Sequence, residues 1–487
     1  MRPRLRFLDD ALAGRILDEA RSVLETLGVE LHVPEGIDLL ASHGATVDDG
    51  GKRVRIPEIL VDRALASVPH GFALHDVLGN RTHDLSGENV HFTPGSAAIR
   101  VLDPETGALR PPTTADYVRY AKLVAGLPNL AAQSTAFVPA DVPAEISDSY
   151  RLFLGLLACE KPVVTGAFTA EGFRVMLDLL LAVRGTEAAL REKPLAAFTC
   201  CPTSPLAWSE ATGRNLLDCA RAGVPVEVVA VPLAGFLSPV TLTGTLVQGA
   251  AENLSGLVLH QLAAPGAPFL WGTSAAVFDI RSEGAATGAI ETAMLTCGMA
   301  ELGKRLGLPT QGYAGVSDAK ELDAQAGLET TSGALLAALA GVNSISGPGL
   351  LDLDNGFSLE KLAADDEVCG MALRAVRGIE PRDDFPALPL LGELLGEKHL
   401  LIAKHTRRHL KAEITFPGSV VDRSGEARWR ADGAESLLAR AAREVERRVA
   451  AWTPSRLPES AKRDLVAVME EAARRAGLDA LPAREVA

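Results

Sequence analysis

A chain of 487 residues can bury a sizeable core, yet with 47% hydrophobic and only 5% aromatic residues that core must rest on Ala, Leu and Val. A net charge of −14 argues against a nucleic-acid or anionic-membrane surface, since both need clustered Lys and Arg to neutralise phosphate. No run of about eighteen apolar residues appears, and Met1–Phe7 is basic without an apolar h-region, so a cytoplasmic protein that touches no membrane is expected. The six cysteines lack C-x-x-C spacing and read as reduced, mostly buried thiols.

Residues 9–28 carry apolar positions at i, i+3, i+4 spacing and end on Gly28, which predicts an amphipathic helix with a glycine cap. Short β-branched runs (VEL, ATV, RVRI) then alternate with short helices. HDVLGNRTHDLSGENVHFT reads as hairpin strands with Gly-Asn and Ser-Gly turns. Residues 1–90 are therefore expected to form a small α+β extension.

From residue 91 the pattern becomes short apolar strands ending in small or polar residues, each followed by a helix. The strands are HFTPG at 91–95, LAAQSTAFV at 130–138, PVVTGAF at 162–168, PLAAFTC at 194–200, PVEVVAV at 225–231, PFLWGTS at 268–274, PTQGYAG at 309–315 and NSISGPG at 343–349. Eight such units in a row fit a (β/α)8 TIM barrel over 91–380 better than an open sheet, although periodicity alone does not establish closure. Neither G-x-G-x-x-G after the first strand nor a P-loop occurs. After residue 380 the strand signal fades, and 381–487 reads as a helical extension packed on the barrel, with helices at 432–452 and 459–477.

The richest chemistry lies in Gly312–Glu329, GYAGVSDAKELDAQAGLE, a strand end, loop and helix start. Strand C-termini are where parallel α/β proteins build sites. Its polar members, Ser317, Asp318, Lys320, Asp323, Gln325 and Glu329, fit either a site wall or an ordinary helix cap. Trp271 and Tyr313 end neighbouring strands and could share a pocket with Phe278, Phe198 or Phe168. An aromatic pocket suits a quaternary ammonium ion through cation–π attraction, and ordinary core packing is the other reading of each ring. Asp318 and Asp279 would add attraction, while Arg100, Arg281 or Lys320 could meet a substrate carboxylate. Cys200 and Cys201 end the fourth strand, where a zinc methyltransferase could place thiolates, but adjacent strand residues point to opposite faces. His405 and His409, at i and i+4, could share a helix face and bind a metal. No acidic partner lies nearby in sequence, so a packing role is expected there, and no tightly bound metal overall.

ILDEARSVLETLGVEL, GSAAIRVLDPETGALRPPTTADYVRYAKLVAGLPNL, GVSDAKELDAQAGLE, the NSISGPGLLD strand end and HTRRHLKAEITFP, in this order, resemble the trimethylamine:corrinoid methyltransferase (MttB) superfamily over nearly the whole chain. The resemblance implies a barrel that moves a methyl group from a methylated amine to Co(I) of a corrinoid on a separate small protein. Archaeal trimethylamine enzymes of the superfamily carry pyrrolysine, whereas every position here holds an ordinary residue. Trimethylamine needs its nitrogen made cationic. A quaternary ammonium is already cationic and releases a neutral amine, so it needs only positioning and a desolvating pocket. The expected substrate is a quaternary amine, glycine betaine first. Where relatives carry a larger polar residue such as His or Tyr before Gly347, this chain has Ser346, a smaller residue that could enlarge the pocket or shift the substrate class and so leaves the particular betaine open.

On this reading Asp318, Lys320 and Ser346 are the catalytic candidates. Trp271, Tyr313, Ser317, Phe278, Gln133, Arg100 and Gly347 are the binding candidates, and Asp323, Gln325 and Glu329 hold the loop behind them. The expected partners are a corrinoid protein and a second copy in a dimer. A zinc-dependent thiol or tetrahydrofolate methyltransferase and a non-catalytic betaine-binding barrel are the competing readings.

Overall fold

A computed structural model describes residues 2–169 and 171–481; Met1, Ala170, at the start of the helix expected after the third strand, and 482–487 at the end of the expected helical extension lie outside the described residues. Each of the eight predicted strand segments contains a strand: β1 His91–Thr93, β2 Gln133–Ser134, β3 Val163–Thr165, β4 Ala196–Cys200, β5 Val226–Ala230, β6 Phe269–Thr273, β7 Gln311–Tyr313 and β8 Ser344–Ser346. β2 to β6 form one parallel ladder, and β7, β8 and β1 form a second. Parallel bridges Phe92↔Leu130 and Trp271↔Thr310 join the two ladders at both seams. The sheet is thus a closed barrel, which settles what periodicity left open.

A helix follows each strand: α1 Thr114–Ala125, α2 Ala144–Ala158, α3 Gly172–Arg184, α4 Glu210–Ala222, α5 Leu242–Ala263, α6 Ile290–Arg305, α7 Ala324–Ala340 and α8 Leu359–Arg377. α1 starts with a reciprocal capping box between Thr113 and Asp116, the pairing expected of a T-x-x-D start. α5 has little amphipathicity because it is covered on both sides, by the barrel and by the N-terminal helices Asp10–Thr26 and Glu58–Ser67. That double cover buries His260 completely and pushes its imidazole pKa down to about 3. The strand Val29–Leu31 pairs with Ala207–Trp208 from the loop after β4, so the N-terminal segment is hydrogen-bonded into the barrel's own framework.

The predicted hairpin, Ala73–His75 against Arg81–Asp84, closes the barrel floor. Its Leu74, with Leu85 just beyond it, packs on Ala197 of β4 and Leu270 of β6. Access is left to the opposite end, where two small sheets rise from the loops. One joins 233–234, 276–279 and 284–286, and the other joins 100–102, 109–110, 350–351 and 356–357. Of the C-terminal helices, Leu437–Ala450 packs on α8 and α1, and Glu459–Arg475 packs on α3 and α2. Leu388–Glu397 and Lys404–Glu413 contain no buried residue. No helix among the described residues is long and apolar enough to cross a membrane.

Candidate active site

Residues at the ends of β1 to β7, with one turn after β8, enclose a cavity of about 260 Å³ at the C-terminal mouth of the barrel. Hydroxyls ring it: Ser96, Thr135, Thr165, Thr199 and Ser274, completed by the phenol of Tyr313. Val229, Val231, Ala167 and Phe168 supply the apolar wall, and Asp354 the charge. Among the described residues no Lys or Arg lines it. A larger cleft of about 860 Å³ lies outside the barrel, between α8 and the segment 415–423, away from the strand C-termini where barrel chemistry is built.

The acids around this cavity are held in an unusual state. Glu227 points inward from the middle of β5, is fully buried, and accepts a 2.6 Å hydrogen bond from the Thr199 hydroxyl. Burial outweighs that bond and pushes its pKa up to about 7. Asp354 is pushed up to about 7 as well, first by desolvation and then by the neighbouring charge of Asp318. The Thr287 hydroxyl sits 2.9 Å from Asp318 Oδ1 and 3.3 Å from Asp354 Oδ1. One hydroxyl carries one proton, so the chain is complete when Thr287 donates to Asp318 and a protonated Asp354 donates to Thr287. Asp318 also accepts from the Gly288 N–H at 3.0 Å, and its pKa is raised, chiefly by desolvation. Desolvation first, then the nearby Glu227 carboxyl, drives the Tyr313 phenol far above its usual range, so it stays neutral, 3.0 Å from Ser96 Oγ.

Asp354 reaches the cavity through strained backbone. Asp352, Leu353 and Asp354 follow one another in the left-handed region at φ 52°, 58° and 67°. Each such non-glycine residue costs on the order of 1–2 kcal/mol, and strain of this kind concentrates where a side chain must be aimed.

Within 312–329, Glu329 organises the loop. Its Oε2 accepts from Ser317 Oγ at 2.6 Å and from the Asp318 N–H at 2.8 Å, and its Oε1 accepts from Gln325 Nε2 at 2.9 Å. Ser317 Oγ in turn accepts from the Ala319 N–H at 3.0 Å. Asp323 caps α7 through the Ala326 N–H. Lys320 turns outward, 65% exposed, and donates to its neighbour's carbonyl, Asp318 O, at 2.7 Å.

A family model described as trimethylamine methyltransferase (MTTB) matches residues 1–477. The chain belongs to the trimethylamine methyltransferase family. It is 31% identical to a trimethylamine methyltransferase MttB of Desulfitobacterium hafniense (strain DSM 10664 / DCB-2), over 92% of this chain and 90% of the relative. It is 29% identical to a glycine betaine methyltransferase of D. hafniense (strain Y51), over 88% and 89% of the two chains. The crystal structure of the Methanosarcina barkeri monomethylamine methyltransferase (MtmB) aligns with a TM-score of 0.48 at 12% identity, covering 96% of this chain and 94% of that one.

Within this methyltransferase of the trimethylamine family, several expected site residues lie elsewhere. Trp271 is fully buried on the outer face of β6 and donates from Nε1 to Met299 O of α6 at 3.0 Å, so it belongs to the barrel–helix core and not to the pocket. Gln133 likewise faces the helix layer and donates to the carbonyls of Gly155, Cys159 and Lys161. Gly347 serves packing: with φ at 136°, a Cβ there would lie 2.6 Å from Ala314 O and 2.7 Å from Val316 Cγ1. Ser346 is buried inside the barrel, 3.5 Å from Gln311 Nε2, and does not line the cavity. Phe278 stacks on Phe236 at 4.8 Å in the rim hairpin, and Arg100 is exposed on the other rim sheet. Arg281 is tied to Asp279 at 2.6 Å and largely solvated. Phe198 packs on Phe173 in the helix layer, which leaves Tyr313 and Phe168 as the rings on the cavity.

Cys200 and Cys201 point apart as strand alternation requires. Cys200 is buried beside Cys219, while Cys201 faces the cavity with its thiol pushed up to about 12 by burial. Among the described residues no cysteine joins a group of three or more metal-ligating side chains, which leaves the zinc-thiolate reading without a ligand set. Glu227 and Asp354 were missed from sequence. A charged residue in the apolar strand PVEVVAV was a usable signal for the first, whereas nothing in DLDNG announces the second.

Proposed function

We propose that the chain moves a methyl group from a quaternary ammonium compound to Co(I) of a corrinoid carried by a separate protein. The observation that carries the reading is the cavity itself, with hydroxyls and the Asp354 carboxyl on its wall, Glu227 just behind Thr199, and no basic side chain among the described lining residues. An isolated methylated ammonium is poorly hydrated and enters such a site at low desolvation cost. It is held there by the ring faces of Tyr313 and Phe168 and by the field of Glu227 and Asp354. A bound cation favours the ionised carboxylates and draws both acids back toward their ordinary range.

The chain's residues then position one N–CH3 bond toward the open mouth and exclude water from it. When the C–N bond breaks, its electron pair stays on nitrogen and the amine leaves neutral, so no side chain has to donate a proton. A corrinoid supplies the Co(I) nucleophile that accepts the methyl group. Its ring is far larger than a cavity of about 260 Å³ and fits only across the mouth. Exposed Ile99, Phe168, Phe236, Val240 and Ile280 form an apolar rim there, which suits a flat macrocycle and the protein that carries it.

The family relatives named for trimethylamine and for glycine betaine support an amine substrate. Pyrrolysine is absent, which favours the quaternary amine, and glycine betaine is the first to test. A second reading has an observation of its own. Arg100, Arg281 and Lys320 all lie off the cavity, so a substrate with net positive charge, such as choline or tetramethylammonium, matches the wall better than a zwitterion.

The test is methyl transfer from a panel of amines to reduced cob(I)alamin, followed by the loss of Co(I) absorbance. Quaternary amines are expected to react and trimethylamine is not. Turnover of trimethylamine with no quaternary amine active overturns the proposal. A larger kcat/KM for tetramethylammonium than for glycine betaine favours the second reading.

A further inference from the structure

The helix Lys404–Glu413 places His405 and His409 on one face, with ring centroids 4.9 Å apart. Glu413, four residues after His409, is taken up by Arg382, and the acids that meet the imidazoles come from about twenty residues upstream. Asp383 Oδ1 lies 2.6 Å from His409 Nε2 and 3.6 Å from His405 Nε2. Asp384 Oδ1 lies 3.3 Å from His405 Nε2. Among the described residues, Asp383, His405 and His409 form the one group of three or more metal-ligating side chains whose ligand atoms all lie within 4.8 Å of one another.

We propose that Asp383, His405 and His409, with Asp384 as a fourth donor, bind a divalent transition-metal ion of the zinc type that clamps the 380–386 loop to the helix 404–413. Zinc takes nitrogen at about 2.0–2.1 Å and carboxylate oxygen at about 2.0–2.2 Å in a tetrahedron, which sets neighbouring ligand atoms roughly 3.3 Å apart. Of the carboxylate–imidazole separations, Asp384 to His405 at 3.3 Å and Asp383 to His405 at 3.6 Å already match. The third, 2.6 Å, is a hydrogen-bond length and opens when the ion replaces the shared proton. Two imidazoles and two carboxylates suit zinc and its neighbours in the transition series, not magnesium or calcium, which prefer all-oxygen shells.

The charge balance is favourable. Arg408 Nη1 holds Asp383 Oδ2 at 2.8 Å, leaving Oδ1 for the ion, and with the imidazoles neutral the four side chains and Arg408 sum to −1.

The local fold also calls for a clamp. The helices Leu388–Glu397 and Lys404–Glu413 bury no residue, and Phe385, beside the ligand pair, is 84% exposed. Apolar packing therefore does not fix the loop, and the polar links are few: Arg382 to Glu413 at 2.7 Å, and the Asp383 and Asp384 contacts. A metal cross-link supplies the missing restraint because its binding free energy is available to ordering. The site is independent of the mouth cavity, and the methyl-transfer reading does not depend on it.

The experiment uses the full chain, stripped with chelator and titrated with Zn2+ and, separately, with Co2+. One ion per chain is expected, with a Co2+ visible spectrum of tetrahedral nitrogen and oxygen ligation that lacks the thiolate charge-transfer band the free cysteines would give. His405→Gln with His409→Gln, both on the exposed helix, should weaken binding by roughly 100-fold or more. Zn2+ should slow hydrogen exchange across 380–413 in the wild-type chain and not in the double variant. Failure of the wild-type chain to bind, unchanged affinity in the double variant, or a thiolate band each overturns the proposal. In the last case the cysteines hold the ion.

Discussion

At the scale of single residues, Glu227 has the most to decide. A carboxylate buried in a strand core is unfavourable unless something answers its charge, and here the Thr199 hydroxyl answers only part of it. Glu227→Gln keeps the shape and removes the charge. For a quaternary ammonium the expected effect is a rise of about 10-fold or more in the dissociation constant, from losing one close buried charge, with a smaller change in kcat. The sign of the pH dependence follows from the raised pKa. Below about 7 the carboxyl is protonated and attracts the cation weakly, so affinity rises with pH through about 7 in the wild-type chain and rises less steeply in the variant, where Asp354 alone still titrates there. Without ligand the sign reverses for stability. The folded state holds a proton that the unfolded chain releases above the ordinary 4.5, so this group's contribution declines between 4.5 and about 7. Calorimetric titration at pH 6 and pH 8 checks the first statement, and an affinity independent of both pH and the substitution sinks it. The contrast with Trp271 explains why single residues were only partly legible. Both lie on strands, but whether a strand residue faces in or out depends on register, and the scarcity of aromatics that drew notice to Trp271 says nothing of register. Tyr313, two positions past Gln311 on β7, falls on the inward face, while Trp271 falls on the outward one.

At the scale of elements, the strands were legible because each is a short apolar run with a helix after it, and eight of these recur. The left-handed turn at 352–354 and the rim sheets were not, because contacts with distant segments rather than a local sequence pattern fix them. One such contact is the buried pair Lys361 and Asp365 on α8, 2.5 Å apart. Lys361 Nζ also reaches Gly315 O at 3.5 Å, and Asp365 Oδ2 accepts from the Gly349 N–H at 2.7 Å. A single ion pair thereby ties the loop after β7 to the loop after β8, the two segments that carry Asp318 and Asp354. Removing one member leaves the other charge buried and unanswered. Lys361→Ala should cost roughly 3–5 kcal/mol, while Lys361→Met with Asp365→Leu costs less. Urea unfolding of the three chains separates these outcomes. If the double variant is no more stable than Lys361→Ala, the pair does more than neutralise itself.

At the scale of the whole molecule, the floor is plugged by Leu74 and Leu85 and the cavity opens only where the apolar rim stands. A methyl acceptor must therefore approach along the barrel axis from the strand C-termini. That direction could be inferred once a closed barrel was expected, since all eight loops that follow the strands meet there. The rim's composition was not legible, because Phe236, Val240 and Ile280 are scattered through loops with no periodicity to group them. If the rim receives a protein-borne corrinoid, truncating it should separate docking from chemistry. Phe236 and Ile280 are both exposed, so the double substitution Phe236→Ser, Ile280→Ser costs mainly the Phe236–Phe278 stacking, about 0.5–1.5 kcal/mol. Anchors of this kind are worth about 1–2 kcal/mol each at an interface, so turnover with a carrier protein limiting should fall by about 10-fold or more. Turnover with free cob(I)alamin, which has no carrier to dock, should change far less. Equal losses with both acceptors would mean that the two side chains shape the cavity itself, and unchanged rates with both would move the docking surface away from this rim.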